Sequence, residues 1–150
     1  MVERISPKDA KARLDEGWTY LDVRSVPEFE QGHPAGAYNV PLMHMGAGGM
    51  EPNPDFIAAV EASFPKDAKL VLGCKAGGRS FRAAQQLEAR GYTHVLDQRG
   101  GWSGATDPFG RALEAGWEQE GLPSATDAEP GRSWAELSKK VDRGAGCSIV

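Results

Sequence analysis

Short apolar runs bounded by turn residues alternate along this chain with stretches whose apolar positions recur every three to four residues, the pattern of strands interleaved with helices. Ser6-Pro7 sets a capping hydroxyl before a proline at the first helical position, and Ala10, Leu14 and a stop at Gly17 complete a short helix. Thr19 to Val23 reads as a strand whose end turns polar at Asp22-Val23-Arg24. Pro27-Glu28-Phe29-Glu30 suits a helical turn before the cluster Gly32-His33-Pro34-Ala35-Gly36-Ala37, and a brief strand is expected around Tyr38 to Val40. Pro41 to Pro52, with three glycines, reads as a long loop. A helix follows in which Phe56, Ile57, Val60 and Phe64 share one face. Lys69 to Gly73 is apolar without alternation, as in a strand covered on both faces of a parallel sheet. Ser80 to Arg90 predicts a helix capped by Gly91, His94 to Leu96 another strand, Arg111 to Glu120 a helix, and Trp134 to Val141 a weaker one.

Strands alternating with helices imply an α/β fold with parallel pairing, right-handed crossovers and a crevice at the carboxyl ends of the strands. Cys74 follows the Lys69 to Gly73 strand and is expected in that crevice. A length of 150 residues suits one core, while 19 glycines and 10 prolines assign much of the chain to loops. A compact domain over 1–123 is expected, followed by a partly flexible C-terminal extension, 124–150, that opens with a linker-like composition. The net charge of −4 disfavours nucleic acid as a partner. No apolar run approaches the roughly 18 residues of a membrane span. Two cysteines and a polar start point to a reducing cytoplasm as the expected location.

The chemistry concentrates in Cys74-Lys75-Ala76-Gly77-Gly78-Arg79-Ser80. Two glycines let the backbone curl so that successive N–H groups point inward, and the following helix adds its positive end. Lys75 and Arg79 add full charges, so the loop is an anion cradle that favours a nucleophilic thiolate at Cys74 and predicts a depressed thiol pKa. Asp22 and Arg24 flank a strand end and are read as supporting residues, an internal ion pair being favoured over substrate contact. His33, in its glycine and proline turn, is expected to make a structural hydrogen bond, and His44 and His94 are assigned no role. Three scattered histidines with one relevant cysteine make no metal site, and no cofactor is called for.

These residues resemble the rhodanese-like sulfurtransferases, whose single-domain members carry a six-residue active loop opened by cysteine and closed by arginine. The resemblance spans roughly residues 3 to 123 and rests on Asp22-Val23-Arg24, Glu28-Phe29, Gly32 to Ala37, Asn39-Val40-Pro41, the Cys74 loop, Gly91-Tyr92, Gly100-Gly101 and Trp117 to Pro123, all in order. It implies a five-stranded parallel sheet with helices on both faces. It also implies a cycle in which Cys74 takes a sulfane sulfur from a small anionic donor such as thiosulfate, as a persulfide, and passes it to cyanide or a thiol. Lys75 and Arg79 would orient the donor. A cysteine phosphatase or arsenate reductase is the enzyme alternative; those loops place five residues between cysteine and arginine, whereas only Lys75, Ala76, Gly77 and Gly78 stand here. A sulfur carrier or partner-binding module with incidental turnover is the non-enzyme alternative.

Two departures from the family pattern bear on substrate choice. An insertion, about 102–115, delays the tryptophan of the closing segment to Trp117 and is read either as draping Trp102 or Phe109 over the Cys74 pocket or as inert surface. The extension carries Trp134 and Leu137 one turn apart as an apolar anchor, for docking on the domain or on a protein partner. Its Cys147-Ser148-Ile149-Val150 ending matches a prenylation box only by chance, and a resolving role for Cys147 toward Cys74 is the other reading.

Overall fold

The computed structural model describes residues 2–76 and 78–141. Its elements in chain order are β1 (Glu3–Ile5), α1 (Pro7–Asp15), β2 (Thr19–Asp22), α2 (Val26–Gln31), β3 (His33–Pro34) and β4 (Tyr38–Asn39). They continue with β5 (Met43–Gly46), β6 (Gly49–Pro52), α3 (Phe56–Ser63), β7 (Lys69–Gly73), α4 (Gly78–Ala89) and β8 (His94–Gln98). The chain closes with β9 (Ala105–Thr106), β10 (Ala112–Glu114), β11 (Ser124–Ala125) and α5 (Trp134–Leu137), followed by a 3-10 turn. The central sheet has five parallel strands in the order β1-β8-β7-β2-β4. Every crossover therefore passes over a sheet face, and the apolar run of β7 is explained by its place at the centre: residues 70 to 73 are all buried.

The pleat divides the core in two. Leu70, Leu72 and Leu21 face α3 and α4 through Phe56, Val60, Ala84 and Leu87. Val71 and Tyr20 face the opposite way, toward Ala10 of α1, Phe29 of α2 and Trp117. Local signals set the ends of the helices. Ser6 Oγ accepts from the Asp9 amide at 3.1 Å, with Pro7 opening α1. Ser25 and Glu28 form a capping box at the start of α2.

Two sequence expectations change. Pro41 to Pro52 is a two-stranded antiparallel hairpin, with Met45 opposite Met50. Arg111 to Glu120 is not a helix: Ala112–Glu114 pairs with β9 instead, and turns follow. Gly116 falls inside this stretch, where a Cβ would meet the Gly104 amide and the Trp102 carbonyl, and Leu113 lies 68% exposed while Trp117 is buried in the core, so the two do not share one packed helical face.

The described part of the extension packs on the domain. Ser124–Ala125 pairs with β3, the Asn39 amide donates to the Arg132 carbonyl at 2.9 Å, and Leu137 is fully buried in the α3/α4 core. Trp134 packs on the same core and meets the His44 ring. Cys147 lies outside the described residues.

Candidate active site

Cys74 emerges from the C-terminal end of β7 and is 3% exposed. The residue before it must be glycine, because a Cβ at Gly73 would collide with the Tyr20 hydroxyl. The backbone after it is braced by Gly100 to Ser103. The Trp102 amide donates to the Cys74 carbonyl at 2.7 Å and the Ser103 amide to the Lys75 carbonyl at 2.9 Å. Gly101 allows this approach: its φ is +64°, and a Cβ there would run into the Lys75 and Cys74 carbonyls. In a trans peptide the C=O and the next N–H point opposite ways. Tying these two carbonyls back therefore aims the Lys75 and Ala76 amides away from the brace. α4 then begins at Gly78, presenting the positive end of a 12-residue helix next to the loop.

The charged residues sort into pairs. Asp22 and Arg24 form a buried ion pair, with side chains 2% and 4% exposed; Arg24 Nε donates to both carboxylate oxygens at 2.9 and 3.1 Å, and Nη2 donates at 2.7 Å. Arg24 Nη2 also donates to the Gly32 carbonyl, and its guanidinium lies 5.2 Å from the Trp102 ring centre. Burial acts to lower the Arg24 pKa, but the Asp22 hydrogen bonds and charge outweigh it and raise it further. Asn39 Nδ2 clamps the carbonyls of Asp22 and Arg24, each at 3.0 Å. Asp22 and Arg24 are thus a structural knot beside the loop.

Arg79 does not stand alone. Its Nη1 and Nη2 donate to the two oxygens of Glu28 at 2.8 and 3.0 Å, a bidentate pair with both side chains under one-fifth exposed. Glu28 is simultaneously fixed by α2, its Oε1 accepting from the Ser25 amide and hydroxyl at 3.1 and 2.8 Å. Burial pushes the Glu28 carboxyl up, yet the Arg79 and Ser25 hydrogen bonds prevail and hold it at about 2. The Glu28 hydrogen bonds, burial notwithstanding, raise the Arg79 pKa. Sequence reasoning quoted Glu28 without giving it a role; the signal available was its place at the third position of a capping box.

Lys75 and Ala76 are exposed at the loop, and no ion pair of Lys75 is found among the described residues. Ser80 is fully buried, with its side chain hydrogen-bonded to Asp97 on β8. Gly77 lies outside the described residues. Tyr20 is buried behind the strand ends, its hydroxyl accepting from Gln98 Nε2 at 3.2 Å; burial first and the Asp22 charge next raise its pKa far above the ordinary value. His33 stacks on Phe29, with Nδ1 2.7 Å from the Phe29 carbonyl, and so serves its turn. Among the described residues, no group of three or more His, Cys, Asp or Glu could hold a metal. No helix is long and apolar enough to cross a membrane.

Two clefts flank the loop. One, about 320 Å³, is lined by Arg24, Glu28, Lys75, Trp102, Ser103 and Glu118. The other, about 410 Å³, runs between Ala76, Gly78 and Phe81 and the insertion residues Ala105 and Leu113. Of the two aromatics of the insertion, Trp102 lines the cleft beside Lys75, whereas Phe109 is 83% exposed on the hairpin tip.

Comparisons with known proteins converge on one family. The Rhodanese-like domain model matches residues 6–107. Thiosulfate sulfurtransferase 16, chloroplastic, of Arabidopsis thaliana is 43% identical over 120 residues, spanning 80% of this chain and 90% of that protein. Protein HIGH ARSENIC CONTENT 1, mitochondrial, of the same plant is 41% identical over 106 residues, covering 71% of this chain and 63% of its own length. Among solved structures, Rv0390 from M. tuberculosis superposes with a TM-score of 0.70 at 24% identity, covering 84% of this chain and 98% of that one.

Proposed function

The chain belongs to the rhodanese-like domain family, and on that footing we propose that it transfers a sulfane sulfur from a small anionic donor such as thiosulfate, through a persulfide on Cys74, to cyanide or a thiol. The observation that supports this most is the placement of Cys74: a cysteine at the end of the central strand, with the carbonyls beside it tied back and a helix N-terminus following. In the first half-reaction the Cys74 thiolate attacks the outer sulfur of thiosulfate. The sulfur–sulfur bond breaks, sulfite leaves with its electron pair, and the persulfide keeps the thiolate's negative charge. In the second, the acceptor takes the outer sulfur and the Cys74 thiolate is released. No proton need move in either step, so the chemistry requires no general acid or base. The loop amides and the α4 dipole stabilise the anion throughout. Lys75, exposed at the rim, meets the donor. We place the protein in the cytoplasm on the composition argument, and propose a protein partner for the C-terminal extension, 124–150.

One observation favours a second reading, chemistry on arsenate: the 41% identical relative carries a name that refers to arsenic content. The four-residue spacing between Cys74 and Arg79 speaks against a site that encircles a tetrahedral oxyanion. The test is mass spectrometry of protein incubated with thiosulfate, together with turnover to thiocyanate. Wild type gains one sulfur on Cys74; Cys74→Ser stays unmodified and turns over at least 1,000-fold more slowly with an unchanged far-UV spectrum. Turnover retained in Cys74→Ser, or arsenate consumption without sulfur loading, removes the proposal.

A further inference from the structure

Among the described residues, the cations beside the Cys74 loop are each paired with a carboxylate except Lys75, and Glu118, which lines the same cleft as Lys75, is in no ion pair. Arg24 is matched by Asp22 and Arg79 by Glu28, leaving Lys75 as the cation at the rim without an ion pair among the described residues. We propose that Glu28 is a specificity-determining residue that occupies Arg79 and so limits how strongly the site draws donors of high negative charge. The inference rests on the sulfurtransferase reading above. A dianion such as thiosulfate then meets Lys75 and the helix end rather than two free cations, which shifts preference toward singly charged or zwitterionic sulfane donors.

Geometry makes the occupation firm. The pair is bidentate, and Glu28 is also anchored by two bonds from Ser25, so the carboxylate cannot swing aside without uncapping α2. An incoming donor would have to displace a carboxylate held by four hydrogen bonds to recruit Arg79. Glu28 itself lines the cleft beside Lys75, close enough to repel a second negative charge there. The Arg79 and Ser25 hydrogen bonds hold the Glu28 carboxyl below its ordinary range, so it carries its charge at neutral pH.

The experiment measures rates of Cys74 loading by stopped flow with two donors that differ in charge, thiosulfate and methanethiosulfonate. Both deliver their outer sulfur as the sulfur–sulfur bond breaks, with sulfite or methanesulfinate leaving with the electron pair. Glutamine still accepts the Ser25 amide bond, so Glu28→Gln keeps the cap while removing the charge. It should raise loading by thiosulfate about fivefold at low salt and by methanethiosulfonate about twofold, the difference fading toward 0.5 M salt. Arg79→Gln should do the opposite, lowering loading by thiosulfate more than by methanethiosulfonate because Glu28 is then unopposed. In the double variant the ratio of the two donors should return to within twofold of wild type, the closure that a charge-cancelling pair requires. A donor ratio and salt slope unchanged in Glu28→Gln, with both donors still loading Cys74, overturns the role given to Glu28 and leaves the sulfurtransferase reading standing. Failure of wild type to load from either donor removes both.

Discussion

Replacing Asp22 by asparagine keeps the size of the side chain and removes only its charge, which isolates what the buried knot beside Cys74 contributes. In the native protein Arg24 sits with 4% of its side chain exposed and donates three hydrogen bonds from its side chain and one from its amide to the Asp22 carboxylate. Asparagine offers one acceptor oxygen and turns an NH₂ donor toward a guanidinium that has none to accept with. The guanidinium is left charged and uncompensated in a site where water cannot reach it. Breaking a buried pair from one side costs about 3–5 kcal/mol. At about 2–4 °C per kcal/mol for a chain of this size, the melting temperature should fall by about 6–20 °C. Removing both charges is a different perturbation. Asp22→Leu with Arg24→Met should recover part of the loss, apart from about 1 kcal/mol each for the Gly32 carbonyl that Arg24 no longer serves and the residue-24 amide that loses its acceptor. Urea titrations followed by tryptophan fluorescence give both free energies. An Asp22→Asn loss below 1 kcal/mol, or a double variant as unstable as the single, would show that the pair is not the buried electrostatic unit described here.

Glu28 predicts an acid limb. Its folded pKa of about 2 lies below its ordinary value of 4.5, so its contribution is complete above pH 4.5 and lost as pH falls through 2. Wild type should lose on the order of 1–2 kcal/mol more than Glu28→Gln over that interval, after allowance for solvent screening; parallel stability curves would contradict the pair. Replacing residues 105 to 113 by a short glycine linker, which spares the Trp102 to Gly104 brace and Glu114, should cost under about 1 kcal/mol and leave loading by thiosulfate within twofold, since Phe109 and Leu113 are largely exposed; a change in discharge to bulky thiols but not to cyanide would place the hairpin on the acceptor side. Leu137→Ala should destabilise by about 2–5 kcal/mol, because the side chain is fully buried in the main core; a loss under 1 kcal/mol would mean that residues 124 to 141 can leave the domain cheaply.

The signals that survive in the sequence are those whose physics is local. The hydroxyl-proline start of α1, the apolar period of α3 and the uninterrupted apolar run of β7 each act within a few residues, and each is found where the pattern puts it. The Cys74 loop was legible for the same reason, since its glycines and cations are contiguous with the strand before it and the helix after it. What the chain alone did not disclose depends on partners far apart in sequence. Arg79 reads as a free cation until folding brings Glu28, 51 positions away, against it, and the double glycine at 100 and 101 gains its reason only when Gly101 meets the carbonyls of Cys74 and Lys75. Arg111 to Glu120 fails as a helix although Leu113 and Trp117 stand one turn apart, because Gly116 presses against the backbone of Trp102 and Gly104 and residues 112 to 114 pair with β9, beside the Arg99–Glu114 ion pair at 2.6 Å. Sequence determined the strand, the cysteine at its end and the loop that holds it; the tertiary structure decided how much of the loop's charge is left unpaired, because charge cancellation is a matter of distance and not of order along the chain.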